Sequence, residues 1–129
     1  ALGAGVIGSP AGAYPDKPDL TGKAAFSFAA AYLPGPVAPV GKVTFDFGPA
    51  KLKFRSTGSD WLVVTGSQAV YQGSGTVNGK SGYGFRVTAT DAPDTFRLRI
   101  WKKAGGEVVY DNLTGAKVTG IVAVGGSRR

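Results

Sequence analysis

The chain has 129 residues, with 15 Lys and Arg against 8 Asp and Glu and a net charge of +7. That length fits a single domain able to bury a real core without disulfides or a structural metal. Cys and His are both absent, which excludes a disulfide framework, a thiolate zinc site, a thiol nucleophile and the Ser–His–Asp triad. Met is also absent and the sequence begins Ala1-Leu2-Gly3-Ala4. This is expected of a product cleaved from a signal peptide, where small residues suit the cut; an excised piece is the alternative. No apolar run reaches the length needed to span a bilayer.

The 21 Gly and 8 Pro fall mostly between short apolar runs, the composition of many strands joined by turns. Residues 1–20 differ from the remainder. Ala1 to Ala13 is small, apolar and Gly-rich, and Tyr14-Pro15-Asp16-Lys17-Pro18-Asp19 reads as an extended linker, because each proline pushes its predecessor out of the α region. Phe26, Phe28, Ala30 and Tyr32 then alternate, as a half-buried strand does. Val43, Phe45 and Phe47 alternate next, followed by Leu52 and Phe54 against Lys51, Lys53 and Arg55. Trp61-Leu62-Val63-Val64 is continuous and is expected to be buried on both faces.

Gln68 to Val77 reads as a longer strand that Gly73 and Gly75 bend or bulge. Asn78-Gly79 is the strongest hairpin signal, since both positions of a two-residue turn need positive φ. It leads into Tyr83, Phe85, Val87 and Ala89. Phe96, Leu98 and Ile100 alternate against Arg97 and Arg99. Gly105-Gly106 turns the chain into Val108-Val109-Tyr110, and a last strand covers Val118 to Val124. The reading is all-β: a single-domain antiparallel β-sandwich, jelly-roll or Ig-like, of about eight or nine strands, with 1–20 an N-terminal segment and 21–129 the domain.

The order of motifs from Lys23 to Asn112 resembles a β-sandwich domain found at the C-terminal end of large secreted bacterial surface proteins, after choice-of-anchor, PKD-type or Ig-like modules. The residues that carry the likeness are Phe45-Asp46-Phe47, Leu52 to Thr57, Asp60 to Val64, Tyr71 to Gly79, Tyr83 to Asp91, Asp94 to Trp101 and Val108 to Asn112. The resemblance implies a bacterial, secreted, cell-surface domain with no assigned catalysis. Lys102 stands where that family usually has an acidic residue.

Catalytic constellations are weak. Gly73-Ser74-Gly75 is followed by a hairpin and not by the helix N-terminus that a phosphate loop needs. The carboxylates are scattered, and their expected role is turn formation and solvation; Asp91, Asp94 and Asp111 are the one candidate calcium set. No enzyme activity, cofactor or metal is expected. Asn112-Leu113-Thr114 matches a glycosylation acceptor. Trp61 and Trp101 each lie beside a core run, so packing is the expected role and a sugar-stacking platform the alternative.

Two functional readings follow. In the first, the apolar tail is a donor strand. Leu2, Ala4, Val6 and Ile7 would complete the sheet of a neighbouring copy, and head-to-tail contacts of that kind build an extracellular filament or surface assembly. In the second, Lys51, Lys53 and Arg55 on one strand face and Arg97, Arg99 and Lys102 on another form a cationic sheet face. That face would hold acidic polysaccharide or cell-wall polymer, and nucleic acid only non-specifically. Its bland counterpart is a solvated outer face that blocks edge-to-edge aggregation.

Overall fold

The structure is a computed structural model, and it describes residues 1–31, 40–91, 94–112 and 116–124. The ten strands are β1 (Leu2–Ser9), β2 (Gly22–Ala31), β3 (Val40–Phe47), β4 (Leu52–Thr65), β5 (Gln68–Val77), β6 (Lys80–Asp91), β7 (Asp94–Lys102), β8 (Val108–Asp111), β9 (Ala116–Lys117) and β10 (Thr119–Ala123). A 3-10 turn, Gly48–Ala50, joins β3 to β4. Among the described residues no helix is long and apolar enough to cross a membrane.

Strands β1 to β8 form an antiparallel meander in which each strand pairs with the next. The sheet then rolls up. β9 pairs with β7 (Thr95↔Lys117, Phe96↔Ala116), and β10, one residue further on, pairs with β1. The stretch from Ala116 to Ala123 therefore joins the two ends of the meander. The all-β, antiparallel expectation holds. A jelly-roll or Ig-like sandwich needs two sheets, and the pairing makes one.

The alternation in the sequence explains which face turns inward. Phe26, Phe28, Val43, Phe45, Phe47, Leu52, Phe54, Phe85, Phe96, Leu98 and Ile100 are all buried in one core. Rolling the sheet brings distant strands face to face. Phe96 of β7 stacks on Phe26 of β2 with centroids 3.9 Å apart, and Tyr110 of β8 meets Phe45 of β3 at 4.7 Å. The Asn78-Gly79 turn has φ of 50° and 84°, as its sequence requires.

The N-terminal segment departs most from expectation. β1 lies inside its own sheet, paired to β2 along its whole length and to β10 from Leu2 to Val6. Ile7 is 1% exposed, whereas Leu2 and Ala4 face outward and Val6 is half-buried. The donor-strand premise, that residues 1–13 have no place in their own fold, is therefore corrected. Gly3 explains why a stretch so poor in large side chains fits there: a Cβ at residue 3 would sit 2.6 Å from the Phe28 ring, so the aromatic of the next strand fills the space.

The linker is likewise part of the body. Residues 10–20 fold into a strap held by Gly12 N–H to Pro18 O, Lys17 N–H to Tyr14 O and Leu20 N–H to Lys17 O. The strap docks through Asp111 N–H to Ala13 O, with Ala13 fully buried.

One further expectation changes. Val63 and Val64 are 51% and 42% exposed, and only Leu62 of that run is buried. The irregularity expected at Gly73 and Gly75 is present on both sides of β5: opposite them in β4, where Thr57 and Asp60 are the extra residues, and in the pairing with β6, which shifts between Gly75 and Val77. Two single-residue bulges restore the original phase, which keeps Leu62 inside and turns Val63 out.

Tyr110 is fully buried, and its hydroxyl shares a 2.8 Å hydrogen bond with Ser9. Burial raises its pKa to about 12 from an ordinary 10.0. The folded state thus holds the phenol proton more tightly than the unfolded chain does. This contribution is complete below pH 10 and is lost as pH rises toward 12, a change of roughly 2–3 kcal/mol. Urea midpoints measured from pH 9 to 12 should fall steeply, and Tyr110→Phe should flatten part of that fall. An equal fall in the variant would remove Tyr110 as its source.

Candidate functional site: the basic outer face of β4 to β8

The six basic residues singled out from the sequence do not form one patch. β5 and β6 separate β4 from β7, so Lys51, Lys53 and Arg55 lie away from Arg97, Arg99 and Lys102. Three of the six are also neutralised by acids. Arg55 pairs with Asp46, Arg97 with Asp111 and Lys102 with Glu107, each at 2.9 Å. Asp111 grips Arg97 with both carboxylate oxygens, and this bond is the main reason the guanidinium is held above its ordinary pKa. Lys51, Lys53 and Arg99 have no ion pair among the described residues.

The register assembles a different site. Trp61, Gln72, Arg86, Arg99 and Asp111 are successive cross-strand partners, one residue from each of β4 to β8. Arg86 lies 5.5 Å from the centre of the Trp61 ring, and its Nε and Nη2 donate to Gln72 Oε1 at 3.1 and 2.9 Å. The guanidinium is held by a stacking ring below and an amide oxygen beside it, and it has no acid partner among the described residues. Arg99 stands directly opposite.

The next row adds Trp101, which is half-buried and pairs with Gly84. A Cβ at residue 84 would lie 2.6 Å from Trp101 Cε2. The indole therefore occupies the place a side chain would take on β6, which only glycine leaves open. Arg86, Arg99, Trp101 and Gly106 together line a shallow cavity of about 190 Å³. Lys103 borders the same row, its Nζ donating to Ser74 Oγ.

Arg86 and Gln72 were not singled out from the sequence. The signal was present, since Arg86 alternates with Phe85 and Val87, but only the register places it between Trp61 and Arg99. Trp61 and Trp101 both lie on this outer face, not in the core.

Other expected sites dissolve. Asp91 accepts Val124 N–H and Asp111 holds Arg97. Among the described residues no group of three or more His, Cys, Asp or Glu is placed to hold a metal ion. Asn112 is buried, accepting from Leu98 N–H and donating to Phe96 O, so its amide is engaged in the fold; Leu113 and Thr114 of the acceptor motif lie outside the described residues. Compared with protein-family models, curated proteins and solved structures, the chain matches none.

Proposed function

We propose that this chain is a binding module of the cell exterior that holds an anionic polymer, of the acidic-polysaccharide or cell-wall kind, on the outer face of β5 to β7. The observation that carries this reading is Arg86 directly opposite Arg99 with no acid bridging them among the described residues. Like charges facing across an antiparallel pair destabilise a sheet. An anion between the two guanidinium groups removes that repulsion and gains two charge-assisted, planar contacts. Trp61 fixes Arg86, and Trp101 offers a ring beside the charges. Placement outside the cell belongs to this proposal and is supported by the resemblance of the strand motifs to secreted surface domains.

Strand exchange into a filament is not part of it. β1 is already paired on both sides, and an added strand would have to displace it.

Retention on immobilised heparin, a sulfated polyanion, tests the reading. The protein should elute later than the Arg86→Ser, Arg99→Ser double variant, and the difference should shrink as salt screens the contacts. A Lys23→Ser, Lys42→Ser control removes the same charge from exposed positions on β2 and β3 and should elute well behind the arginine variant. Equal elution of the two double variants would show that net charge alone is at work.

A further inference from the structure

At one end of the roll the strap of residues 10–20 borders an open cavity of about 180 Å³. Leu52, Val77 and Val108 supply its apolar floor, and its polar lining is Tyr14, Asp16, Asn78, Tyr83, Lys102 and Glu107. Asp16, Asn78, Lys102 and Glu107 are exposed at its rim, and Leu52 and Val77 are buried at its floor, the form of a concave site that a ligand enters from solvent.

The strap's backbone hydrogen bonds and the buried Ala13 hold the segment that carries Tyr14 and Asp16. The opposite wall is the Asn78-Gly79 turn, where Asn78 Oδ1 accepts Lys53 N–H at 2.8 Å and leaves its amide nitrogen as a donor. Tyr83 and Lys102 are cross-strand partners on β6 and β7. Lys102 pairs with Glu107 at 2.9 Å. That bond and the Glu107 charge hold the ammonium above its ordinary pKa, and Tyr83 and Asp16 add smaller contributions, so these groups converge on one space. The rings of Tyr14 and Tyr83 pack on the core, and no hydrogen bond of either hydroxyl occurs among the described residues.

We infer that this cavity is a binding site for one neutral pyranose ring. The volume lies below the roughly 300–1,000 Å³ typical of drug-sized ligands. A sugar ring presents hydroxyls that both donate and accept, matching two free phenols, two carboxylates, an ammonium and an amide. Its apolar face suits a tyrosine wall. A carboxylate or phosphate would meet Asp16 and Glu107 with one lysine to offset them, and a hydrocarbon would strip the polar lining of water without replacing its bonds. The site is separate from the Arg86–Arg99 face and does not depend on it.

Amide shifts of the full chain, followed by NMR during titration with methyl α-D-glucopyranoside, methyl β-D-galactopyranoside and methyl N-acetyl-β-D-glucosaminide, provide the test. At least one glycoside should give saturable shifts centred on Tyr14, Asn78 and Tyr83 at millimolar concentration. The Tyr14→Phe, Tyr83→Phe double variant keeps both rings, and so the packing, and should bind that glycoside at least tenfold more weakly. Its elution from heparin should be unchanged, which separates this site from the outer face. Absence of saturable shifts with all three glycosides, shifts centred elsewhere, or undiminished binding by the double variant would overturn the inference.

Discussion

Removal of Leu2–Ser9 is expected to abolish folding. β1 is flanked on both sides, and its loss leaves β2 with a bare edge along its length and β10 with none of its β1 partners. Each ladder hydrogen bond contributes about 1 kcal/mol net, and burial of Ile7 contributes roughly 2–3 kcal/mol more. A domain of this size has a total stability of about 5–15 kcal/mol, so losing a whole inner strand consumes it. The truncated chain should show collapsed amide dispersion and no cooperative thermal transition. The intact chain should sediment as a monomer, because the strand it needs is its own. A truncated chain that melts cooperatively within a few degrees of the parent would contradict the cis placement of β1, as would an intact chain that folds only as an oligomer.

Phe96→Ala is expected to be the most damaging single truncation in the core. Phe96 is fully buried and stacks on Phe26 at 3.9 Å, on Phe28 at 6.0 Å and on Phe45 at 6.4 Å. It is the point at which β7 meets β2 and β3 across the roll. Truncating a buried Phe costs about 3–5 kcal/mol, and more when the surroundings cannot collapse into the cavity. Here the neighbours are three rings on two other strands, and moving one disturbs the others. Chemical denaturation should show a loss near the upper end of that range. Val77→Ala, at a 7% exposed residue near the rim of the core, should cost about 1–2 kcal/mol. A Phe96→Ala loss no larger than that of Val77→Ala would show that the two faces of the roll are not packed as described.

These two expectations mark what could and could not be read from the chain. Phe45 and Phe47, or Leu98 and Ile100, announce their strand and its inward face through a period of two, because nothing else accounts for that alternation. Asn78-Gly79 announces its turn because few residue pairs tolerate two positive φ values in succession. β1 is different. Its inward Gly3 has no side chain, so the sequence shows no alternation there, and the side chain that fills the gap belongs to Phe28, 25 positions later. Apolar content alone reads as a loose tail, since the partner that makes it a strand is remote.

The proposed binding face was legible only in part. Arg99 and the two tryptophans were visible as candidates, but a face is made by register, and register between β4 and β7 depends on the two bulges and two intervening strands. The same residues show why charge runs mislead. Arg55 and Arg97 alternate cleanly with core residues, yet Asp46 and Asp111 cancel them from neighbouring strands. Arg86 looks unremarkable in sequence and emerges as central because its cross-strand neighbours are Gln72 and Arg99.

The most direct measurement is an amide shift map of the intact protein titrated with a size-defined oligogalacturonate, a carboxylated glycan. The largest shifts should fall on Arg86, Arg99 and Trp101, with quenching of tryptophan fluorescence over the same concentration range, and both should weaken as salt is added. Shifts spread evenly over Lys23, Lys42, Lys53 and Lys80, or no shifts at low salt, would contradict the assignment of anion binding to this face.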